Sequence, residues 1–162
     1  MKVAYGRLVN PDEVLDHLRD LAPRTVIFDV EPLVAFWDTD QGTLAAGVET
    51  ILRQVRGAIT DVEVVVFATN SSRRLSADTP AARHPTMRYL AGAAKPLRTA
   101  PYLDLPRPGV VVGDQVATDG LLAWRLGYSF LHYRPPRGTI PAGPRIMNLL
   151  GRPLRPVLFT RV

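Results

Sequence analysis

Cysteine is absent from this chain of 162 residues, and lysine is nearly so: of its 20 basic residues, only Lys2 and Lys95 are not arginine. Without a thiol the chain forms neither a disulfide nor a thiolate zinc site, and a reducing compartment suits it without being required. A compact ammonium in a chain that otherwise uses arginine indicates a position where a planar guanidinium would not fit. Composition alone therefore makes Lys95 a candidate site residue.

A long apolar run near the start is also missing. Charged residues are scattered through residues 1–21, which is not the pattern of a signal peptide or a membrane span. We expect a soluble, cytoplasmic protein with no transmembrane segment. The length and the hydrophobic fraction of 46% fit one compact domain.

Acidic residues are missing from the C-terminal part of the chain. Residues 134–162 hold six arginines, six prolines and no Asp or Glu, whereas the charges of the remainder nearly cancel. The sequence predicts a core domain over 1–134 and a basic, Pro/Arg-rich extension over 135–162, with a short helix over 144–151. Three roles for the extension stay open: packing on the domain, pairing with a second subunit in a homodimer, or contact with an anionic surface.

Apolar runs alternate with helical patterns along the rest of the chain. Largely continuous apolar runs predict buried strands at 25–30, 62–69, 109–114 and 128–133. Helical spacing or cap residues predict helices at 10–21, 42–57, 85–92, 95–103 and 118–127, the first with Asn10 as N-cap and Pro11 at its first position. This alternation predicts an α/β fold with a mainly parallel sheet flanked by helices.

Polar residues follow the predicted strands where each strand ends. The candidates are Asp29 and Glu31 after the first strand, Thr69 and Asn70 after the second, Lys95 before a helix, and Asp114 and Asp119 after the third. Each alone has an ordinary explanation, such as a helix cap, a strand-end hydroxyl or a solvated charge. Because the carboxyl ends of parallel strands meet at one edge of the sheet, we expect these side chains to form one site.

Phosphoryl transfer is the chemistry that uses such a set. A carboxylate can attack phosphorus, and carboxylate oxygens can hold Mg²⁺. A hydroxyl and an ammonium then stabilise the transferring oxygens as charge spreads over them. Glu31 is the candidate general acid, because residues two apart on an extended chain point the same way.

The order of these residues resembles the haloacid dehalogenase (HAD) superfamily of phosphatases with an aspartate nucleophile. Within it, the chain is most similar to the capless, YqeG-like branch of subfamily IIIA, which is related to mitochondrial phosphatidylglycerophosphate phosphatases. The resemblance covers about residues 10–134 and is most specific in GDQVATD (113–119) followed by RLG (125–127). It implies a Rossmann-like HAD α/β/α sandwich without a cap domain, and Mg²⁺-dependent hydrolysis of a phosphomonoester through an aspartyl phosphate.

The resemblance also implies a role for each candidate residue. Asp29 would be the nucleophile and a metal ligand. Glu31 would act as acid/base and contact the metal through its backbone carbonyl. The phosphoryl group would be bound by Thr69, Asn70 and Lys95, and the metal by Asp114, with Asp119 supporting or joining the metal site.

One departure from the family pattern opens an alternative. The first motif of the family reads Asp-x-Asp-x-Thr, whereas this chain has Glu31 and Leu33 at the third and fifth positions. The extra methylene of glutamate displaces the carboxylate by about 1 Å, which can lower a rate about 100-fold. A catalytically weak or inactive protein with a binding or regulatory role is therefore a second hypothesis. A nucleic-acid-related role of the basic extension is a third.

The spacing of the candidates bears on the substrate. One helix accounts for the chain between Asp29 and Thr69, and the chain from Thr69 to Lys95 is shorter still, so neither segment has room for a cap domain. We expect an open site that suits a large phosphorylated substrate, such as a lipid head group, a nucleic-acid end or a phosphoprotein, unless the extension or a second subunit covers it.

Other patterns are weaker. The three histidines, His17, His84 and His132, lack the paired spacing of a zinc site and are expected to lie at the surface or to be hydrogen-bonded in the interior. Neither a G-x-G-x-x-G motif nor a P-loop is present, which argues against nicotinamide or ATP binding in those modes. Two arginines, Arg73 and Arg74, follow Thr69 closely and could face either substrate anions or water.

Overall fold

A seven-stranded sheet runs through the centre of the protein. The computed structural model describes residues 3–8, 10, 12–134 and 142–161. The strands are β1 (Val3–Leu8), β2 (Thr25–Asp29), β3 (Val64–Ala68), β4 (Met87–Leu90), β5 (Gly109–Gly113), β6 (Ser129–Tyr133) and β7 (Phe159–Arg161). They lie in the order β4-β3-β2-β5-β6-β1-β7, and every pair is parallel. The predicted α/β class with a parallel sheet is confirmed.

Helices cover both faces of this sheet. They are α1 (Glu13–Leu21), α2 (Gln41–Ala58), α3 (Leu121–Leu126), α4 (Ala142–Gly151) and α5 (Arg155–Leu158). Side chains alternate along a strand, so Phe28 of β2 joins the apolar core under α1 and α2, whereas its neighbour Ile27 joins the core under α3 and the C-terminal segment. In the described parts of the chain, no helix combines the length and the apolar character needed to cross a membrane.

The neighbouring strands β2, β3 and β5 consist mainly of β-branched and aromatic residues. In β2 and β5 every residue is buried, as expected of strands that are covered on both faces. The long helix α2 begins where the carboxylate of Asp40 accepts a 2.7 Å hydrogen bond from the backbone N–H of Thr43. This N-cap satisfies a donor that the first helical turn would otherwise leave unpaired.

The start of α1 differs from the predicted one. The helix begins at Glu13, and the side chain of Asn10 accepts a hydrogen bond from the backbone N–H of Asp12 in the turn before it. Pro11, predicted at the first helical position, lies outside the described residues.

Two predicted helices were wrong. Residues 85–92 contain the strand β4, which pairs with β3 at the edge of the sheet. An edge strand of four residues that is partly exposed shows no clear period of two, so its pattern is ambiguous. Residues 95–103 form turns and one short 3₁₀ helix, Ala100–Tyr102, because prolines at 96 and 101 remove backbone donors that an α-helix needs.

The C-terminal segment packs on the rest of the chain and extends its sheet. The predicted helix over 144–151 is confirmed as part of α4. The strand β7 pairs with β1, and neither of these strands was predicted. Leu158 and Phe159 are buried against the sheet. Of the roles left open for the extension, packing is therefore the one that residues 142–161 display, while residues 135–141 lie outside the described part.

Candidate active site

The candidate residues lie at the carboxyl-end edge of the sheet. Asp29 is the last residue of β2, and β2 lies between β3 and β5. Thr69 directly follows β3, and Asp114 directly follows β5. Three neighbouring parallel strands therefore bring these side chains together, as the sequence predicted from strand order.

Lys95 reaches this edge from the loop after β4. Its Nζ donates hydrogen bonds of 2.7 Å to Asp29 Oδ1, 2.7 Å to Asp119 Oδ1 and 3.1 Å to the carbonyl of Ala68. The side chain is 2% exposed. Each of the three N–H donors of this buried ammonium therefore needs an acceptor within the protein, and each has one. Burial alone would lower the pKa of Lys95, but the carboxylates of Asp119 and Asp29 raise it above its ordinary value. Lys95 is thus a fixed positive charge.

Three carboxylates converge around that ammonium. Oxygen atoms from Asp29, Asp114 and Asp119, one from each side chain, lie within 4.8 Å of one another, and all three residues are buried. Burial raises the pKa of Asp29 well above its ordinary value, the charge of Asp119 raises it further, and Lys95 opposes both effects. One buried ammonium thus lies among three buried carboxylic acids, and it bonds directly to Asp29 and Asp119.

Asp119 is held by an unusual turn. It lies in a π-helical segment, Val116–Gly120, that follows β5. Its Oδ2 accepts a hydrogen bond of 3.2 Å from the backbone N–H of Gln115, while its Oδ1 accepts the bond from Lys95. Gly113 makes room for it, because a Cβ on Gly113 would lie 2.4 Å from Asp119 Oδ2. The sequence placed Asp119 near the predicted metal site, and the structure makes it a direct partner of Lys95.

Glu31 contacts Thr69. The hydroxyl of Thr69 donates a 2.7 Å hydrogen bond to Glu31 Oε2, and Glu31 Oε1 lies 3.9 Å from a guanidinium nitrogen of Arg73. Both groups line the same cleft, but the Glu31 carboxylate is not one of the three that form the acid cluster. The predicted metal contact through the Glu31 backbone carbonyl stays a prediction.

Arg73 fixes the loop that carries Glu31. Its guanidinium donates to the carbonyls of Phe36 and Thr39 at 2.7 and 2.6 Å. The sequence left open whether Arg73 and Arg74 face anions or water. Arg73 is largely buried against this loop, whereas Arg74 is exposed.

Asn70 positions Lys95. Its side-chain amide donates to the carbonyl of Lys95 at 3.0 Å, and its side-chain oxygen accepts from the backbone N–H of Lys95 at 2.7 Å. Both halves of the amide are therefore engaged with the backbone of one residue, Lys95. The predicted contact of Asn70 with a phosphoryl group stays a prediction, and its observed role is to hold the Lys95 loop against the end of β3.

Asp114 is supported from behind by His132. The ring Nε2 of His132 lies 3.0 Å from the backbone carbonyl of Asp114, and its Nδ1 lies 2.8 Å from the hydroxyl of Tyr5. The pKa of His132 is lowered to about 3 by burial, the largest cause, and by nearby arginines. The ring is therefore neutral, with Nε2 donating to the carbonyl and Nδ1 accepting from Tyr5. The expectation of a hydrogen-bonded interior histidine is met here.

A cleft of about 240 Å³ opens over these groups. Its lining residues are Asp29, Glu31, Trp37, Thr69, Asn70, Ser71, Lys95, Gln115, Thr118, Gly143 and Met147. Sequence reasoning did not identify Ser71, Gln115, Thr118 or the two residues of α4 as part of the site. No local signal identifies the α4 residues, because they reach the cleft through the packing of the C-terminal segment.

No protein-family model matches this chain, and no curated protein or solved structure matches it either.

Proposed function

We propose that this chain is a Mg²⁺-dependent phosphomonoesterase of the HAD type, with Asp29 as its nucleophile. The observation that carries the proposal is the buried Lys95 ammonium, which hydrogen-bonds Asp29 and Asp119 at 2.7 Å where Asp114 adds a third carboxylate. A structural ion pair needs one acid for one lysine, whereas this lysine bonds to two buried acids and a third lies beside them. Phosphoryl transfer uses such an arrangement.

The donor set fits Mg²⁺. This ion prefers oxygen ligands and is commonly bound by one or two carboxylates with retained water. Asp29 and Asp114 would hold it, and Asp119 would hold Lys95 beside it. When bound, the ion would add positive charge beside these carboxylates and neutralise the phosphate.

Four residues have separate roles in the proposed reaction. Asp29 attacks phosphorus and forms an aspartyl phosphate, which water then hydrolyses. Lys95 orients the Asp29 carboxylate and offsets the charge that spreads over the phosphoryl oxygens. Glu31 gives a proton to the leaving oxygen in the first step and takes one from water in the second. Thr69 aligns Glu31 through their hydrogen bond.

The size of the cleft suggests what enters it. A volume of about 240 Å³ is below the range of about 300–1,000 Å³ that is common for small-molecule sites. The cleft therefore suits the phosphate end of a larger molecule whose remainder stays outside. A lipid head group, a nucleic-acid end and a phosphoprotein all meet this description.

The test is hydrolysis of an aryl phosphate with and without added Mg²⁺. We expect turnover that needs Mg²⁺ and that Asp29→Asn abolishes, because an amide cannot form the acyl phosphate. Asp61→Asn, at an exposed position, is the matched control and should keep wild-type turnover. Equal turnover by Asp29→Asn and the wild type would refute Asp29 as the nucleophile.

A second candidate function is that of a weakly active or inactive binding protein. It is favoured by Glu31, whose carboxylate is engaged by Thr69 at 2.7 Å and faces Arg73. In that case the wild type shows little turnover on lipid, nucleotide and sugar phosphates. Glu31→Asp, which restores the family's residue, should then raise the rate by up to about 100-fold. Equal inactivity of the wild type and Glu31→Asp would contradict Glu31 as the cause of the low turnover.

A further inference from the structure

One corner of the molecule is rich in arginine, and the segments that form it contain no acidic residue. The corner is formed by β1, β6 and the C-terminal segment, and residues 3–8, 128–134 and 142–161 contain six arginines and no Asp or Glu. Elsewhere in the described chain, arginines commonly have acidic partners, as in the pairs of Arg24 with Glu63 and of Arg88 with Asp104. This corner therefore differs from the mixed charge of the remaining surface.

Three of these arginines, Arg7, Arg134 and Arg155, form what we call the arginine cluster. Arg7 is in register with His132 on the neighbouring strand, and Arg134 lies two positions beyond His132. Because side chains alternate along a strand, Arg7 and Arg134 project from the same face of the sheet as His132. The backbone N–H of Arg134 still bonds to the carbonyl of Leu8, so the ladder continues to this point.

Arg155 approaches the cluster from the C-terminal segment. It opens α5, four residues before Phe159, whose ring packs on Tyr5 of the same sheet face with centroids 5.5 Å apart. Proximity is also reflected in the pKa of Arg134, which is lowered by burial and then by the positive charges of Arg7 and Arg155.

The cluster has hydrogen-bonding capacity that the protein leaves unused. Among the described residues, the buried Nε of Arg155 has no hydrogen-bond partner, and no carboxylate forms an ion pair with any of the three arginines. Guanidinium groups at short range repel one another, and a buried donor without an acceptor is costly. An anion between them would correct both.

We propose that Arg7, Arg134 and Arg155 form a binding site for a phosphate-type oxyanion. The planar fork of arginine matches the oxygens of phosphate and binds them through paired hydrogen bonds. The site lies next to the acid cluster, because His132, which shares its sheet face with Arg7 and Arg134, lies 3.0 Å from the carbonyl of Asp114. It is separate from Lys95, whose three donors are already engaged.

The phosphate could belong to a soluble molecule or to a lipid at a bilayer surface. The helix α4 in the same segment exposes Ile146, Leu149 and Leu150, each 58–59% exposed. Such side chains beside arginines can enter a lipid interface. Both sources present the same oxyanion, so the experiment has one arm for each.

The first arm measures thermal unfolding in EDTA, with inorganic phosphate against chloride at equal ionic strength. Phosphate in about 100-fold excess over its Kd should raise the wild-type midpoint by about 5–10 °C. Arg134→Gln and Arg155→Gln should lose most of this shift, whereas Arg53→Gln on the exposed side of α2 should keep it. In chloride alone, the two cluster variants should unfold no earlier than the wild type, because each removes repulsion. Arginines with a purely structural role would instead lower the midpoint.

The same arm separates this site from the catalytic cleft. Asp29→Asn should keep the phosphate shift, because Asp29 is not part of the arginine cluster, so failure of the proposed hydrolysis leaves this test intact. The proposal is overturned if phosphate stabilises the double variant Arg134→Gln/Arg155→Gln as much as the wild type. It is also overturned if Lys95→Gln alone removes the shift, since phosphate would then bind only in the cleft.

The second arm measures co-sedimentation with vesicles. Binding to phosphatidylglycerol–phosphatidylcholine vesicles but not to phosphatidylcholine alone, lost in the double variant, assigns the site to anionic lipids. A phosphate shift without vesicle binding assigns it to a soluble phosphorylated molecule. The absence of both refutes the site.

Discussion

The ammonium of Lys95 lies 2.7 Å from a carboxylate oxygen of Asp119, and both side chains are buried. Replacing Lys95 by Met should therefore leave buried carboxylates without a counter-charge. We expect the free energy of unfolding to fall by about 3–5 kcal/mol, as when one partner of a buried ion pair is removed. Urea unfolding at neutral pH measures the loss.

The double variant Lys95→Met/Asp119→Leu is the control for this prediction. It removes both members of the pair, so it should recover part of the stability that the single variant loses. If Lys95→Met were as stable as the wild type, the ammonium could not be balancing the acids in the way the geometry indicates.

Added Mg²⁺ should stabilise the folded protein. An ion that binds only the native state adds about 2.7 kcal/mol at 100 times its Kd, which raises the midpoint of thermal unfolding. Asp114→Asn should reduce this shift because it removes one carboxylate of the acid cluster, and Asp61→Asn at an exposed position should not. A shift that Na⁺ reproduces at the same ionic strength would contradict a specific metal site.

Two glycines offer a matched pair of substitutions. Gly113→Ala adds a Cβ that would lie 2.4 Å from Asp119 Oδ2, so Asp119 must move away from Lys95. We expect a loss of stability of about 1–3 kcal/mol, as for other overpacked interiors, together with a loss of the proposed phosphatase turnover. Gly57→Ala on α2 adds a Cβ that meets nothing within 4 Å and should raise stability by about 0.5–1 kcal/mol. Equal effects of the two substitutions would argue against the close approach at Gly113.

Lowering the pH should destabilise the folded protein, partly through His132. Its pKa is lowered from 6.5 to about 3 in the folded state, mainly by burial. As the pH falls below 6.5 the unfolded chain takes up a proton that the folded protein refuses, so stability is lost from there down to about pH 3. Between about pH 7 and about pH 5, protonation of His132 in the unfolded chain should lower the free energy of unfolding by about 2 kcal/mol.

Urea unfolding at both pH values, for the wild type and His132→Gln, isolates this effect. Glutamine cannot titrate, so the variant should lose less stability than the wild type over the same range. An identical loss in both proteins would show that His132 is not the group responsible.

Much of the site could be predicted because parallel strands impose it. Asp29, Thr69 and Asp114 each follow a strongly apolar run, and any parallel arrangement of those runs places them at one edge. The pairing of Lys95 with Asp119 was not predictable in this way. The position of Lys95 depends on the loop after β4, an edge strand that the sequence pattern misassigned as a helix. The position of Asp119 depends on the π-helical segment Val116–Gly120, which has no local sequence signature.

The α/β class, the parallel sheet and the edge where the polar residues collect follow from local patterns in the chain, because strands buried on both faces are continuously apolar. Which side chains touch depends on how the elements pack. The tertiary structure sets Glu31 against Thr69 and Arg73, His132 behind Asp114, and residues of α4 along the cleft. These contacts join segments far apart in sequence, and their geometry follows from how the elements pack rather than from any local pattern.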